Sequence, residues 1–309
     1  LGLAGFRRSG GTDSIGPAFA ILGVLGFAFK AILIKLAYAW TPIDAVTLLA
    51  LRMIYSVPFF ALMAWWSSRA SRTKPLARRD WLSIAWLGFI GYYLSSLADF
   101  MGLQYVTAAL ERLMLYLYPT IVVVLSALFF KQRITGRIIV ALALSYAGIL
   151  VVFARDLEFA GDPAALWLGG ALVFTSSFLY ACYLVGAGPM ISRLGSLRFI
   201  ALAMLTSALF VFVQFLATRP VTALSVPVRI HVLSLTMAVF STVLPTYLIA
   251  EAIKRMGANR TSLLGSLGPL FTIFLGSWLL DEPVHGIQLI GAALVLAGVA
   301  LVTLRPARG

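Results

Sequence analysis

Apolar residues run along this chain in long blocks, separated by short polar punctuation. A helix needs about 20 apolar residues to cross roughly 30 Å of hydrocarbon. Ten blocks come close to or exceed that length: 17–39, 44–66, 81–103, 107–130, 136–154, 167–187, 197–217, 231–251, 260–280 and 286–304. We number them spans 1 to 10. The connections are short, and the longest, 67–80, reads SSRASRTKPLARRD. No soluble domain fits between any two spans. The opening LGLAGFRRSGGTDS has no Met and too little apolar sequence for a signal peptide, so the tail 1–16 is expected to be a truncated end.

The pattern occurs twice. Residues 110–148, LERLMLYLYPTIVVVLSALFFKQRITGRIIVALALSYAG, lie over 260–298, RTSLLGSLGPLFTIFLGSWLLDEPVHGIQLIGAALVLAG, at an offset of 150 without a gap. Pro119 falls on Pro269, Gly136 on Gly286 and Gly148 on Gly298. Eleven of the 53 aligned positions in 101–153 and 251–303 are identical, and the matched Pro and Gly positions carry the case more than the count does. An internal repeat fixes the architecture. The units are 17–154 and 167–304, each with five spans. Five is odd, so the second unit must insert upside down. The expected fold is an all-α polytopic membrane protein, with ten transmembrane helices in two inverted five-helix repeats around a central cavity. Many secondary transporters are built this way, with substrate held near the midplane. Channels and some membrane enzymes also use inverted repeats.

Polar residues inside the spans fall on helical faces. Tyr92, Ser96 and Asp99 share a face of span 3, and their repeat mates are Thr242, Thr246 and Ile249. Arg112, Tyr116 and Pro119 align on span 4, opposite Ser262, Ser266 and Pro269 on span 9. Gly26 and Lys30 of span 1 match Ser176 and Tyr180 of span 6. Polar groups facing lipid leave hydrogen bonds unmade, so these six faces are expected to turn inward. The plainer alternative is that Ser and Thr bond their own helices or hold neighbours together. Spans 5 and 10, aliphatic and rich in glycine, are expected at the periphery. Pro119 and Pro269 sit mid-span, either as hinges or as static kinks. Lys30, Asp99, Glu111 and Arg112 read as a buried ion-pair cluster, or more sharply as a coupling site. Lys35 and Arg52 are expected to snorkel to the near surface.

Composition agrees: 61% of the residues are hydrophobic and 11% charged. A soluble domain is about half apolar and a quarter charged. The net charge of +13 does not indicate nucleic acid, because the cations are loop residues biased to one side. Seventeen lie on the side of Arg69, Arg79, Arg193 and Arg255; four lie on the side of Lys35, Arg155, Arg219 and Arg229. Lys/Arg bias marks the cytoplasmic side, so both termini are expected there and the acidic loop 155–163 outside. The single cysteine, Cys182, excludes an internal disulfide. His231 and His285 sit at span ends, and the sequence has no HExxH, GxSxG, phosphate loop or Cys/His cluster. Metal and nucleophile chemistry have little to build on.

Ten spans in two inverted halves resemble the drug/metabolite transporter superfamily, and specifically its EamA family. The carrying stretches are YVTAALERLMLYLYPTIVVVLSALFF (105–130) and GANRTSLLGSLGPLFTIFLGSWLLDEPVHGIQLIGAALVLAGV (257–299). The family's halves typically end span 4 or 9 with a Gly/Asp–Glu pair, followed by a Gly that opens the next span. Asp281, Glu282 and Gly286 fit that pattern, whereas Lys131 and Gln132 depart from it in the first half. The chain looks most like the bacterial aromatic amino acid exporters. That resemblance implies an inner-membrane carrier of Phe, Tyr, Trp and related solutes, with no bound cofactor and no nucleic acid partner. A monomer in the bilayer is expected. Substrate-binding residues are then expected among Tyr92, Tyr93, Ser96, Tyr116, Ser177, Tyr180, Ser241, Thr242, Ser262 and Ser266. Aromatic walls favour a flat apolar side chain, while hydroxyls can bond a zwitterion without a permanent ion pair. The alternatives are that the tyrosines only fill the core, or that another amphipathic metabolite or a cationic drug is carried.

Overall fold

The computed structural model describes residues 15–69, 75–130, 135–256 and 258–303. The side chains at 258, 259, 262, 263, 302 and 303, the expected site residue Ser262 included, lie outside that description, as do Lys131 and Gln132. All the regular structure among the described residues is helical. Eight helices there are long and apolar enough to cross a membrane, and two shorter apolar helices, Gly268–Leu280 and Gly286–Leu301, complete the set of ten spans.

Helix boundaries follow local chemistry. Asp44 caps span 2 (Ala45–Ser68), accepting from the amides of Val46 and Thr47. Thr107 caps span 4, accepting from the amide of Leu110. Asp162 caps span 6 (Pro163–Leu194), with Pro163 in the first helical position, where its missing N–H costs nothing. Span 6 has 32 residues and overruns its expected end by a full two turns. Only Gly195, at φ 80°, separates it from span 7 (Ser196–Thr218), so the two are joined by one residue in a conformation suited to glycine.

The packing obeys the repeat. Span 5 (Gly136–Glu158) lies against span 10 (Gly286–Thr303), and span 2 lies against span 7. Span 1 (Ile15–Trp40) packs on spans 8 and 9, and span 6 packs on their mates, spans 3 and 4. The symmetry reaches single residues. A β-carbon added at Gly148 would stand 2.6 Å from the Gly291 carbonyl, and one at Gly298 would stand 2.5 Å from the Ala141 carbonyl. Shifting the first pair by 150 and exchanging halves generates the second. Small residues let backbones approach where no hydrophobic force distinguishes helix from lipid. That accounts for the glycines of spans 5 and 10, whose outer faces, such as Leu150, Ile139 and Ile290, are exposed.

Four spans are irregular, in mirrored pairs. Span 3 (Arg78–Gly102) passes through a π-helical segment at Phe89–Leu94, closed by Ser95 N–H to the Ile90 carbonyl. Span 8 (Val228–Met256) does so at Val239–Val243, closed by Leu244 N–H to the Val239 carbonyl. Span 4 is interrupted after Ala108–Leu115 and resumes as Tyr118–Phe130. Span 9 is interrupted after Ala258–Gly265 and resumes as Gly268–Leu280. Every pair is separated by the 150-residue offset. Pro119 and Pro269 each lie just past an interruption, where the missing N–H leaves a carbonyl four residues back unserved. Each is the second residue of a new half-helix, where proline is tolerated.

Candidate functional site

The interruptions bring tyrosines together. The break at 116–117 changes the facing of span 4, so Tyr116 and Tyr118 stand side by side with ring centres 6.2 Å apart. Tyr118 meets Tyr180 of span 6 edge-on at 5.3 Å. Tyr180 stacks on Tyr183 at 5.6 Å, and Tyr183 meets Tyr92 of span 3 at 4.9 Å. The Tyr92 and Tyr183 hydroxyls are hydrogen-bonded at 3.0 Å. Five rings from spans 3, 4 and 6 thus form one chain, with separations suited to offset and edge-to-face contact. At its end, Tyr116 leans on the Gly265–Gly268 turn of span 9. The expected cavity lay among spans 1, 3, 4, 6, 8 and 9; on the side of spans 3, 4 and 6 these rings pack on one another. Next to them, spans 3, 4 and 6 leave an outward-open groove of about 780 Å³ lined by Ile90, Leu125, Cys182 and Met190 and by the exposed Trp86 and Phe129.

The expected span 3 stripe is split by the π segment. Tyr92 goes to Tyr183, Ser96 accepts from Arg52 at 3.2 Å, and Asp99 takes Lys30 at 2.6 Å. Tyr93 turns away from Tyr92 and packs on Phe89 and Phe210. Ser177 is fully buried and donates at 3.1 Å to the Leu115 carbonyl. That carbonyl is the one Pro119 would serve in a continuous helix and cannot, having no N–H. Ser177 thus closes the break from span 6.

On spans 8 and 9 the hydroxyl-bearing side chains are smaller. Thr242 donates to the Met237 carbonyl of its own helix, the plainer of the two sequence readings. Ser241 is 1% exposed, and its hydroxyl has no partner among the described residues. Ser266 falls in the span 9 break itself, opposite Tyr116 in the repeat. Large rings on spans 3, 4 and 6 thus contrast with small and hydroxyl-bearing residues on spans 8 and 9.

The charged residues gather on one side of the tyrosines. Lys30 and Asp99 make a direct pair in which Asp99 is 1% exposed. Glu111 is fully buried, with Arg112 Nε at 3.8 Å and the Asp99 carboxyl group beside it. Arg112 donates to the Phe27 carbonyl at 2.7 Å, tying span 4 to span 1. Arg52 does not snorkel. It is 4% exposed, bonded to Ser96 and laid over the Phe100 ring at 4.8 Å. Lys35 keeps a quarter of its side chain exposed and reaches the end of the bundle, where it donates to the Val106 carbonyl at 2.7 Å. The cluster holds three cations, Lys30, Arg52 and Arg112, against two carboxylates, Asp99 and Glu111. No group of three or more His, Cys, Asp or Glu able to hold a metal occurs among the described residues.

Sequence reasoning missed Tyr118, Tyr183 and the inward placing of Arg52. Tyr183 follows Tyr180 by one helical turn and could have been found that way. Tyr118 could not, because two residues on an unbroken helix point apart. Pro245, just past the span 8 π segment, signals that irregularity; span 3 has no proline at the equivalent Ser95.

Known proteins agree with this architecture. Residues 14–154 and 167–304 each match the model of the EamA-like transporter family. The chain is 32% identical over 286 residues to an uncharacterized transporter, YcbK, of Bacillus subtilis (strain 168), covering 89% of this chain and 88% of the other. It is 26% identical over 227 residues to a second uncharacterized transporter of that organism, YyaM, over 73% and 74% of the two chains. A protein crystal structure superposes with a TM-score of 0.62 at 18% identity, over 93% of this chain and 96% of that one. Two family matches, one on each half of a ten-span repeat with mirrored interruptions, place this multi-pass membrane chain in the EamA-like transporter family.

Proposed function

We propose that this chain exports neutral amino acids, aromatic ones preferentially, across the bacterial inner membrane by alternating access, with both termini in the cytoplasm. The observation that carries this reading is the pair of interrupted helices at equivalent repeat positions, bordered by the tyrosine chain. Discontinuous helices expose backbone polar groups near the middle of a bundle and supply binding groups there. Tyrosine faces favour a planar apolar side chain by about 0.5–1.5 kcal/mol per good pair. Ser241 and Ser266 offer hydroxyls to the substrate's ammonium and carboxylate.

The rival cargo is a cationic drug, since aromatic faces also attract cations. The adjoining cluster of three cations and two carboxylates opposes it. A zwitterion adds no net charge beside that cluster. Uptake of labelled Phe, Leu and a quaternary ammonium dye into proteoliposomes tests the reading. Phe should move fastest, Leu more slowly and the dye not at all. Tyr92→Ala should lower the Phe rate or raise its half-saturation. Movement of the dye without Phe would overturn the cargo, and unchanged Phe kinetics in Tyr92→Ala would overturn the site.

A further inference from the structure

Asp281 is the only non-glycine residue with positive φ among the described residues, at 54°. It ends span 9 in the left-handed conformation, which is uncommon for a side chain other than Asn, Asp or His. The Glu282 amide then bonds back to the Gly276 carbonyl at 3.2 Å. Strain of this kind persists where surrounding contacts hold it. Its consequence is the aim of Glu282. The side chain crosses to the other repeat, and Oε1 accepts from the Ala108 amide, at the start of span 4, at 3.0 Å. Lys35 Nζ of span 1 stands 3.6 Å from the same oxygen.

Span 4 needs this contact. The Ala108 amide is one of the first-turn donors that no intrahelical carbonyl serves. The third helical residue, Leu110, has no polar side chain to help at this helix start. Glu282 supplies the carboxylate from the opposite repeat, at the positive end of the helix dipole. Lys35 bonds the Val106 carbonyl just ahead of the helix and brings its charge to the carboxylate. Three elements from both halves are thereby tied at one face of the molecule, the face that carries the loop 155–163. The repeat mates of Asp281, Glu282 and Lys35 are Lys131, Gln132 and Val185. The exchanged counterpart of the Lys35–Glu282 pair, Val185 with Gln132, carries no charge in the sequence.

We propose that Glu282, aimed by Asp281 and paired with Lys35, is a latch that holds this face closed in the resting carrier. The opposite face has an inter-repeat pair of its own, Arg193 of span 6 with Asp80 of span 3 at 2.8 Å, so release of the Glu282 latch acts on this face alone. The proposal rests on the alternating-access reading, but its test uses no cargo, so the two can fail separately.

The test is a spin-label distance measurement across this face. Labels go on Met101→Cys and Val284→Cys, both exposed positions, in a Cys182→Ala background. The parent should give one short distance. Glu282→Ala should add a longer population, raising the ratio of open to closed molecules roughly tenfold. Glu282→Gln keeps an acceptor for Ala108 but no charge, and should shift the ratio less. Lys35→Met should shift it too, and the double variant Lys35→Met/Glu282→Ala no further than Glu282→Ala alone. An unchanged distribution in folded Glu282→Ala overturns the latch. If that variant does not fold, unchanged distributions in both Glu282→Gln and Lys35→Met overturn it.

Discussion

The contact that closes the span 4 break can be tested by a double-mutant cycle. Ser177 is fully buried and gives its hydroxyl to the Leu115 carbonyl at 3.1 Å. Ser177→Ala leaves that carbonyl without this donor in a dry place, which costs about 1–3 kcal/mol. The cost depends on Pro119, because a proline has no N–H to offer four residues back. Pro119→Ala introduces an amide where a continuous helix would place its donor to Leu115. In that background Ser177→Ala should cost no more than about 0.5 kcal/mol, giving a coupling between the two positions of roughly 1–2 kcal/mol. Unfolding in mixed micelles, followed by helical circular dichroism against added SDS, reads all four corners of the cycle. Ser192→Ala is the control, since its hydroxyl bonds its own helix at an exposed site. Costs that simply add would refute the account in which Ser177 substitutes for the missing amide. Pro119→Ala alone should also slow transport per folded molecule if the interruption is a moving part.

Two further outcomes follow from the charges. Lys30→Met leaves Asp99 buried without its ammonium and should cost about 3–5 kcal/mol in folded stability, read as loss of monodisperse protein in detergent. Lys30→Met/Asp99→Leu removes both charges and should recover most of that loss; a double variant as damaged as the single one contradicts the pairing. Single cysteines at Ser71 and Asp162, in a Cys182→Ala background, should react with an impermeant thiol reagent from opposite faces of the membrane, and same-face labelling would end the inverted topology.

Most of the fold was legible because the bilayer imposes a length on each apolar block and the repeat imposes it twice. All ten spans appear, and spans 5 and 10 present exposed outer faces as their peripheral reading implied. The site was less legible, because helical periodicity assumes unbroken helices. The π segment at Phe89–Leu94 sends Tyr92, Ser96 and Asp99 to partners on three different spans. The interruption at Tyr116 brings in Tyr118, which a regular helix would hold apart from its neighbour. Arg52 lies near a span end, where snorkelling is the default for long cations, yet it is buried. The partners of Lys35 and Arg52, Glu282 and Ser96, are remote in sequence and carry no local signal. The Lys30–Asp99 pair was readable because a buried charge within a span requires a counter-charge nearby.

The central claim is that the chain is an alternating-access carrier whose mirrored interruptions serve a solute passing between the halves. Counterflow in proteoliposomes tests it most directly. Vesicles loaded with unlabelled Phe and diluted into a trace of labelled Phe should accumulate label transiently above equilibrium, and the recovered solute should be chemically unchanged. Simple equilibration without overshoot would contradict the account in favour of a channel, and recovery of an altered solute would contradict it in favour of an enzyme.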